Sequence, residues 1–396
     1  MTARPQHLPD FNYVKHQFHS EIGQAQAERG TINIAVFGNT GVGKSTLLNA
    51  VFGRQLAATG TGDAVTEHIQ YHGGAPEPLG IYDTPGFEIG GSAKKLESEI
   101  TQMLKRNDRK PLTEQVHVAW FVENAQSSRF VDSQAKLVSH LASFGIPVML
   151  ILTHVRRAAD GGYPASVTAL ADSIIDRQLP LTPPGTVHLV NAQSDPEFND
   201  PVHGLRRLLA ATFDAVPPEV HQALVAAQHV DLERKRQEAT KIINRFTFTS
   251  GAAGAAPVPV ADLVLVTSSL ARMFARISAA YGIPFARKQL AQLATAVLLT
   301  GGATHATSRA ILKASSKQVA KVASTQAGKQ GAKLVPLANL VVSAASGASS
   351  GLLAKAAGHA WARVCEHMLM RPEEPQEVKH AAELFSQKFD ERARLS

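Results

Sequence analysis

Asn33-Ile-Ala-Val-Phe-Gly-Asn-Thr-Gly-Val-Gly-Lys-Ser-Thr-Leu-Leu-Asn-Ala-Val-Phe-Gly53 runs a strand pattern, a glycine-rich loop and a helix pattern in direct succession. It opens inside a run of apolar and β-branched residues, Ile32 to Phe37, too short for a helix and suited to a strand buried on both faces. The run breaks at Gly38 and resumes from Ser45 with Leu47, Leu48 and Val51 on one side of a helix. Between strand and helix lies G-x-x-x-x-G-K-S, read as Gly38, Gly43, Lys44 and Ser45. Such glycines let the backbone curl so that successive N–H groups face one anion at the positive end of a helix. Gly38, Asn39, Thr40, Gly41, Val42, Gly43, Lys44, Ser45 and Thr46 are therefore the candidate phosphate-binding residues. Lys44 is expected against β and γ phosphates, and the Ser45 hydroxyl on a Mg²⁺ ion.

A second phosphate-site pattern, Asp83-Thr-Pro-Gly86, ends the next apolar run and lies thirty-nine residues after Lys44. Asp83 is expected to hold Mg²⁺ through water, and the Gly86 amide to reach a γ phosphate. Between the two motifs, Leu56 to Thr66 is small, polar and without apolar periodicity, which reads as a loop. An edge strand is expected from His68 to His72. Strand and helix patterns then alternate: helix 92–107, strand 116–122, helix 130–144, strand 147–153, helix 165–177, strand 186–190, helix 202–213. Strands separated by helices imply right-handed crossovers and an α/β fold, its mainly parallel sheet covered on both faces. Ligand is expected at the carboxyl ends of the strands.

With Leu-Leu-Asn-Ala-Val-Phe-Gly behind the phosphate loop and Asp-Thr-Pro-Gly after it, residues 30 to 216 resemble the Era-like branch of the translation-factor-class GTPases. The resemblance implies a G domain that binds GTP or GDP with Mg²⁺. It also implies that a threonine of the mobile loop, Thr66 with Thr59 and Thr61 as rivals, closes on Mg²⁺ and γ phosphate. Lys44, Thr66 and Gly86 are the implied catalytic set, and Ser45, Thr66 and Asp83 the implied metal set. For the base, the family pattern falls on Thr153-His154-Val155-Arg156, and its last base-contacting motif on Asn191-Ala192-Gln193. Thr153, His154, Asn191 and Ala192 are carried over on that basis.

Arg156 stands where the family has an aspartate, and a guanidinium cannot accept a hydrogen bond. Asp160 is the nearest carboxylate but lies four residues too late, so a reduced guanine preference is expected. After Asp-Thr-Pro-Gly, Phe87 replaces the glutamine that orients water in some relatives, which implies slow hydrolysis. Glu67, His68 and Glu88 are the candidates for positioning that water.

Composition bounds the rest. A chain of 396 residues implies two or three domains. The lone Cys365 excludes an internal disulfide and suits a reducing compartment. Residues 1–30 carry Asp10, Lys15, Glu21 and Glu28 without an apolar core, so a leading helix is expected rather than a secretory signal. The net charge of +7 is unevenly spread: cations and carboxylates number 15 and 18 over residues 31–216, but 22 and 12 over 217–396. No carboxylate occurs between Asp262 and Glu366, which points to an anionic partner for that region.

Pro217-Pro218 is expected to end the G domain. A charged linking helix over 217–246, a helical domain over 247–370 and a C-terminal helix or tail over 371–396 are expected to follow. Residues 245 to 365 resemble the YcjF-like helical domain of unknown function found beside G domains in bacterial proteins. Uncharged runs at Gln289–Ser308 and Leu334–Ala354 reach membrane-spanning length with borderline apolarity, and Gly347 and Gly351 have the spacing of closely packed helices, so a membrane-associated region and an Ala-rich soluble bundle are both expected readings. Arg309, Lys313, Lys317 and Lys321 recur every fourth residue, a cationic stripe on a helix.

The expected function is a GTP-controlled switch, cytoplasmic and membrane-associated through residues 289–354, peripherally or by insertion. Guanine nucleotide and anionic lipid are its expected partners, with nucleotide-dependent self-association. One alternative is a soluble GTPase acting on RNA or ribosome. It is disfavoured because no aromatic residue lies between Phe285 and Trp361 to stack on bases. The other is a nucleotide-binding scaffold without significant hydrolysis.

Overall fold

Strand β1 (Ile32–Phe37) is buried along its whole length. Its side chains alternate between two cores, as period two requires. Ile32, Ile34 and Val36 enter one cluster with Leu47, Leu48, Val51, Leu208 and Leu224. Ala35 and Phe37 enter the other with Ile100, Leu104, Val138 and Leu141. A strand placed in this way must have helices on both faces of its sheet, and the computed structural model shows that arrangement. It describes residues 11–53, 69–74, 77–84, 93–107, 109–127, 129–158, 160–197, 200–253, 263–283, 350–371 and 385.

Around β1 the sheet adds β2 (Gln70–Gly73), β3 (Leu79–Asp83), β4 (Val118–Asn124), β5 (Val148–Thr153) and β6 (Val187–Leu189). Their order is β2-β3-β1-β4-β5-β6. Only β2 runs antiparallel, pairing Tyr71 with Tyr82 and His72 with Ile81. The remaining neighbours are parallel, with Ile34 opposite Ile81 and Val36 opposite Asp83 on one side, and Val36 opposite Trp120 on the other. Parallel strands bring their carboxyl ends to one edge. The fold is thus the expected α/β class, with a helical region after it.

The helices of the sheet-bearing unit are α2 (Lys44–Phe52), α3 (Ala93–Asn107), α4 (Asp132–Ser143), α5 (Ala165–Ile175), α6 (Leu205–Ala215) and α7 (His221–Ala227). Instead of one charged helix from Pro217, the chain forms a single 3-10 turn and the apolar α7, whose Ala223 and Leu224 are fully buried. The Gln228 side chain then closes a turn, donating to the Asp231 carbonyl at 2.8 Å and accepting from its amide at 2.6 Å. That turn satisfies backbone groups that a continuous helix would have paired internally.

The structure divides into two compact units, one of residues 29–231 and the other of residues 1–28 with 232–396. In the second unit, α1 (Phe11–Arg29) contributes Phe18 and Ile22 to a core with α8 (Leu232–Ala253), α9 (Leu263–Tyr281) and α10 (Ser350–Met370). Trp361 is fully buried, stacked on Phe274 at 4.7 Å with the rings 4° from parallel. Its indole N–H donates to the Phe274 carbonyl at 3.1 Å and reaches Ser278 Oγ at 3.0 Å. Ion pairs link distant segments of this unit: Arg272 with Glu21 at 2.8 Å, and Arg236 with Glu366 at 2.5 Å. The cationic stripe 309–321 and the run 289–308 lie outside the described residues, as does most of 334–354. Among the described residues no helix is long and apolar enough to cross a membrane.

Candidate functional site

The loop after β1 turns where the backbone has no room for side chains. A Cβ on Gly38, whose φ is +143°, would lie 2.2 Å from the Val122 carbonyl oxygen. Gly43 caps α2 from the left-handed region at φ +89°, which favours glycine over any side chain. The first amides of α2 have no partner within the helix, and the positive end of its dipole points the same way. Lys44 begins that helix, and its Nζ folds back to donate to the carbonyls of Gly38 at 2.9 Å and Asn39 at 3.0 Å. The ammonium is therefore fastened across the mouth of the loop rather than freely solvated. Burial pushes its pKa below the ordinary lysine value, and the Asp83 carboxylate opposes that shift.

Other strand ends converge on this loop. Asp83 ends β3 opposite Val36, and the Thr84 hydroxyl donates to the Val36 carbonyl at 2.8 Å. Thr153 ends β5 with its hydroxyl 2.5 Å from the Val42 carbonyl and 3.1 Å from the Glu123 carbonyl, tying the phosphate loop to β4. Glu123 is itself buried and accepts from Ser127 Oγ at 2.8 Å and from the Gln134 side-chain amide. His154 has φ +54° and places its ring beside Gly43, where an added Cβ would meet its Cε1 at 3.0 Å. Desolvation lowers the pKa of that imidazole.

A cavity of about 480 Å³ opens next to the loop. Gly43 and Thr46 line its phosphate side, Thr153, His154 and Arg156 one wall, and residues 191–197 with Asp200 the other. The second wall is a hairpin: Asn191 and His203 exchange backbone hydrogen bonds at 3.1 and 3.0 Å, as do Asp195 and Asp200 at 2.9 and 3.0 Å. Asn191 Nδ2 donates to the Pro201 carbonyl at 3.1 Å. Arg156 forms ion pairs with Asp195 and Asp200, at 3.8 and 3.9 Å, among the residues that line the cavity.

The structure thus gathers residues 38–46, Asp83, Thr153, His154, Asn191 and Ala192 at one edge of the sheet. Thr59, Thr61, Thr66, Glu67, His68, Gly86, Phe87 and Glu88 lie outside the described residues. Asp160 does not line the cavity; its Oδ1 accepts from the Gly162 amide at 2.8 Å in a local turn. Sequence reasoning missed Asp195 and Asp200. The acidic run that follows Asn191-Ala-Gln193 was visible, but in isolation a charged loop reads as solvated surface.

Residues 33–154 match the family model described as 50S ribosome-binding GTPase, and residues 219–390 the model described as Domain of unknown function (DUF697). A probable GTP-binding protein EngB of Lawsonia intracellularis is 30% identical over 105 residues, which are 26% of this chain and 51% of that protein. The chain therefore spans about half the length of this curated relative. Among solved structures, a probable GTP-binding protein EngB is 18% identical with a TM-score of 0.34, over 46% of this chain and 97% of that one. Toc33 of Arabidopsis thaliana in complex with Mg²⁺ and GMPPNP is 16% identical with a TM-score of 0.34, over 53% and 94%. A variant of Aquifex aeolicus Era bound to GDP and AlF₄⁻ is 18% identical with a TM-score of 0.34, over 56% and 68%. The chain carries a GTP-binding P-loop GTPase domain and, after it, a helical domain of the DUF697 kind.

Proposed function

We propose that this protein binds GTP with Mg²⁺ at the loop 38–46, hydrolyses it slowly, and uses the nucleotide state to control a helical domain that attaches to anionic membrane surfaces. The observation that carries the nucleotide part is Lys44, held by two loop carbonyls with Asp83 as its electrostatic neighbour. A cation fixed there meets phosphate oxygens without first having to be ordered. Ser45, in the first turn of α2, and Asp83 offer a hydroxyl and a carboxylate, hard oxygen donors that suit Mg²⁺. When bound, the ion would neutralise charge on the β and γ phosphates. Thr66 and Gly86 are the proposed partners of the γ phosphate, and Phe87, the residue after Gly86 in sequence, favours slow turnover.

Calorimetric titration with GTP, with and without Mg²⁺, tests this reading. The parent should bind in a Mg²⁺-dependent way, and Ser45→Ala and Asp83→Ala should each weaken that dependence. Identical Mg²⁺ responses in parent and variants would remove the metal assignment.

Support for the membrane part is the carboxylate-free interval between Asp262 and Glu366. An action on the ribosome draws on the description of the model matched over residues 33–154. Co-sedimentation with ribosomes in place of vesicles would favour it.

A further inference from the structure

Resting on the GTP-binding reading above, we infer that Asp200 and Arg156 together read the guanine base, replacing the aspartate that the base-reading loop lacks. Asp200 is only 8% exposed and lines the cavity that opens beside Gly43 and Thr46. Its Oδ1 is buried without a hydrogen-bond partner among the described residues. Native structures rarely leave a buried carboxylate oxygen unpaired, and this one belongs to a side chain that lines the cavity, so its acceptor capacity is available to a base that enters there. The nearby Arg156 does not use up that capacity. It stands 3.9 Å from Asp200 Oδ2 and 3.8 Å from Asp195 Oδ2, distances that balance charge but exceed a hydrogen bond.

The chemistry of the pair matches one base. Along its pairing edge guanine presents an acceptor, O6, and then two donors, the N1–H and the 2-amino group. A guanidinium followed by a carboxylate presents donors and then acceptors, the complement of that edge. Adenine reverses the first two groups, with a 6-amino donor against the guanidinium and the bare N1 against the carboxylate. Xanthine places a carbonyl where the 2-amino group would meet Asp200. Two antiparallel bridges, between Asp195 and Asp200 and between Asn191 and His203, hold the carboxylate in place. A loop without such pairing would have to be ordered by the base itself.

Competition of GTP, inosine triphosphate, xanthosine triphosphate and ATP against a ribose-labelled fluorescent GTP tests the inference, on the full chain and on Asp200→Asn. The parent should favour GTP over ATP and xanthosine triphosphate by about a hundredfold, the discrimination of a bidentate base contact. Inosine triphosphate, lacking the 2-amino group, should fall between them. Asn offers one donor and one acceptor, so Asp200→Asn should lose most of its GTP affinity and gain affinity for xanthosine triphosphate. A merely structural role would weaken all four nucleotides alike. Because the ratio is read within one preparation, a smaller folded fraction does not alter it, and Asp200→Ser serves if the amide variant fails to fold. Asp160→Asn should behave as the parent.

If Asp200→Asn keeps the parental ratio of GTP to xanthosine triphosphate, the inference is overturned while the phosphate reading stands. The same holds if the parent binds all four nucleotides equally. A parent that binds no triphosphate overturns both.

Discussion

Lys44 does two jobs with one ammonium group. It braces the loop through the carbonyls of Gly38 and Asn39, and it is the cation that incoming phosphates are proposed to meet. Lys44→Ala should therefore remove measurable GTP binding in calorimetry while lowering stability by about 2 kcal/mol, the scale of part-buried hydrogen bonds from a charged donor. GTP affinity within a few-fold of the parent would refute the phosphate-loop assignment. His188, on β6, illustrates the opposite case of a polar group with no use for its polarity. It is 3% exposed, and neither ring nitrogen has a hydrogen-bond partner among the described residues. Burial, with a smaller push from the charge of Arg207, brings its pKa down to about 4. The unfolded chain titrates near 6.5 and so binds the proton first, which means that stability is full above that pH and is lost as pH falls toward 4. Urea unfolding at pH 7 and pH 4.5 should show His188→Leu losing about 2–3 kcal/mol less than the parent over that interval. Parallel losses would mean that His188 is not the titrating group.

At the scale of elements, α9 and α10 are joined by Trp361 more than by any charge. Its ring stacks on Phe274 and its indole N–H is satisfied by the Phe274 carbonyl and Ser278 Oγ, so the residue is both apolar filler and hydrogen-bond donor. Trp361→Leu should destabilise the helical unit by about 3 kcal/mol through lost volume and an emptied donor site. Thermal unfolding followed by near-ultraviolet circular dichroism would check this, and a shift under 1 °C would contradict it. Cys365, on α10 and fully buried, has its thiol pushed up to about 12 by desolvation. It should stay inert to thiol reagents at neutral pH until that unit unfolds, because the thiolate is the reactive form. Labelling at a rate independent of denaturant would argue against that burial.

For the whole molecule, the two compact units carry contrasting charge patterns, and the interval from Asp262 to Glu366 bears cations without carboxylates. Each Lys or Arg near an anionic leaflet contributes about 1 kcal/mol, so on the proposed membrane role Arg309, Lys313, Lys317 and Lys321 would supply enough attraction for attachment with modest apolar burial. The protein should float with anionic vesicles at low salt. Surface attachment should release at about 0.5 M salt as the Debye length shrinks, whereas inserted helices should remain bound. A protein that stays at the bottom of the gradient at low salt, and needs no detergent, has no membrane role for this region.

Contiguous residues alone dictate the strand, loop and helix around Lys44, the α/β class and the position of Asp83. Period-two burial in β1, the glycines at 38 and 43 and the Lys-Ser pair at the helix start are local necessities that no distant contact alters. Tertiary structure alone decided the turn at Gln228, the packing of Phe18 and Ile22 with α8–α10, and the opposition of Arg156 to Asp200. These depend on which surfaces meet. The sheet order places β6 beside β5, and the hairpin after β6 then swings a carboxylate forty-four residues away in sequence to face a cation that otherwise reads only as a broken motif.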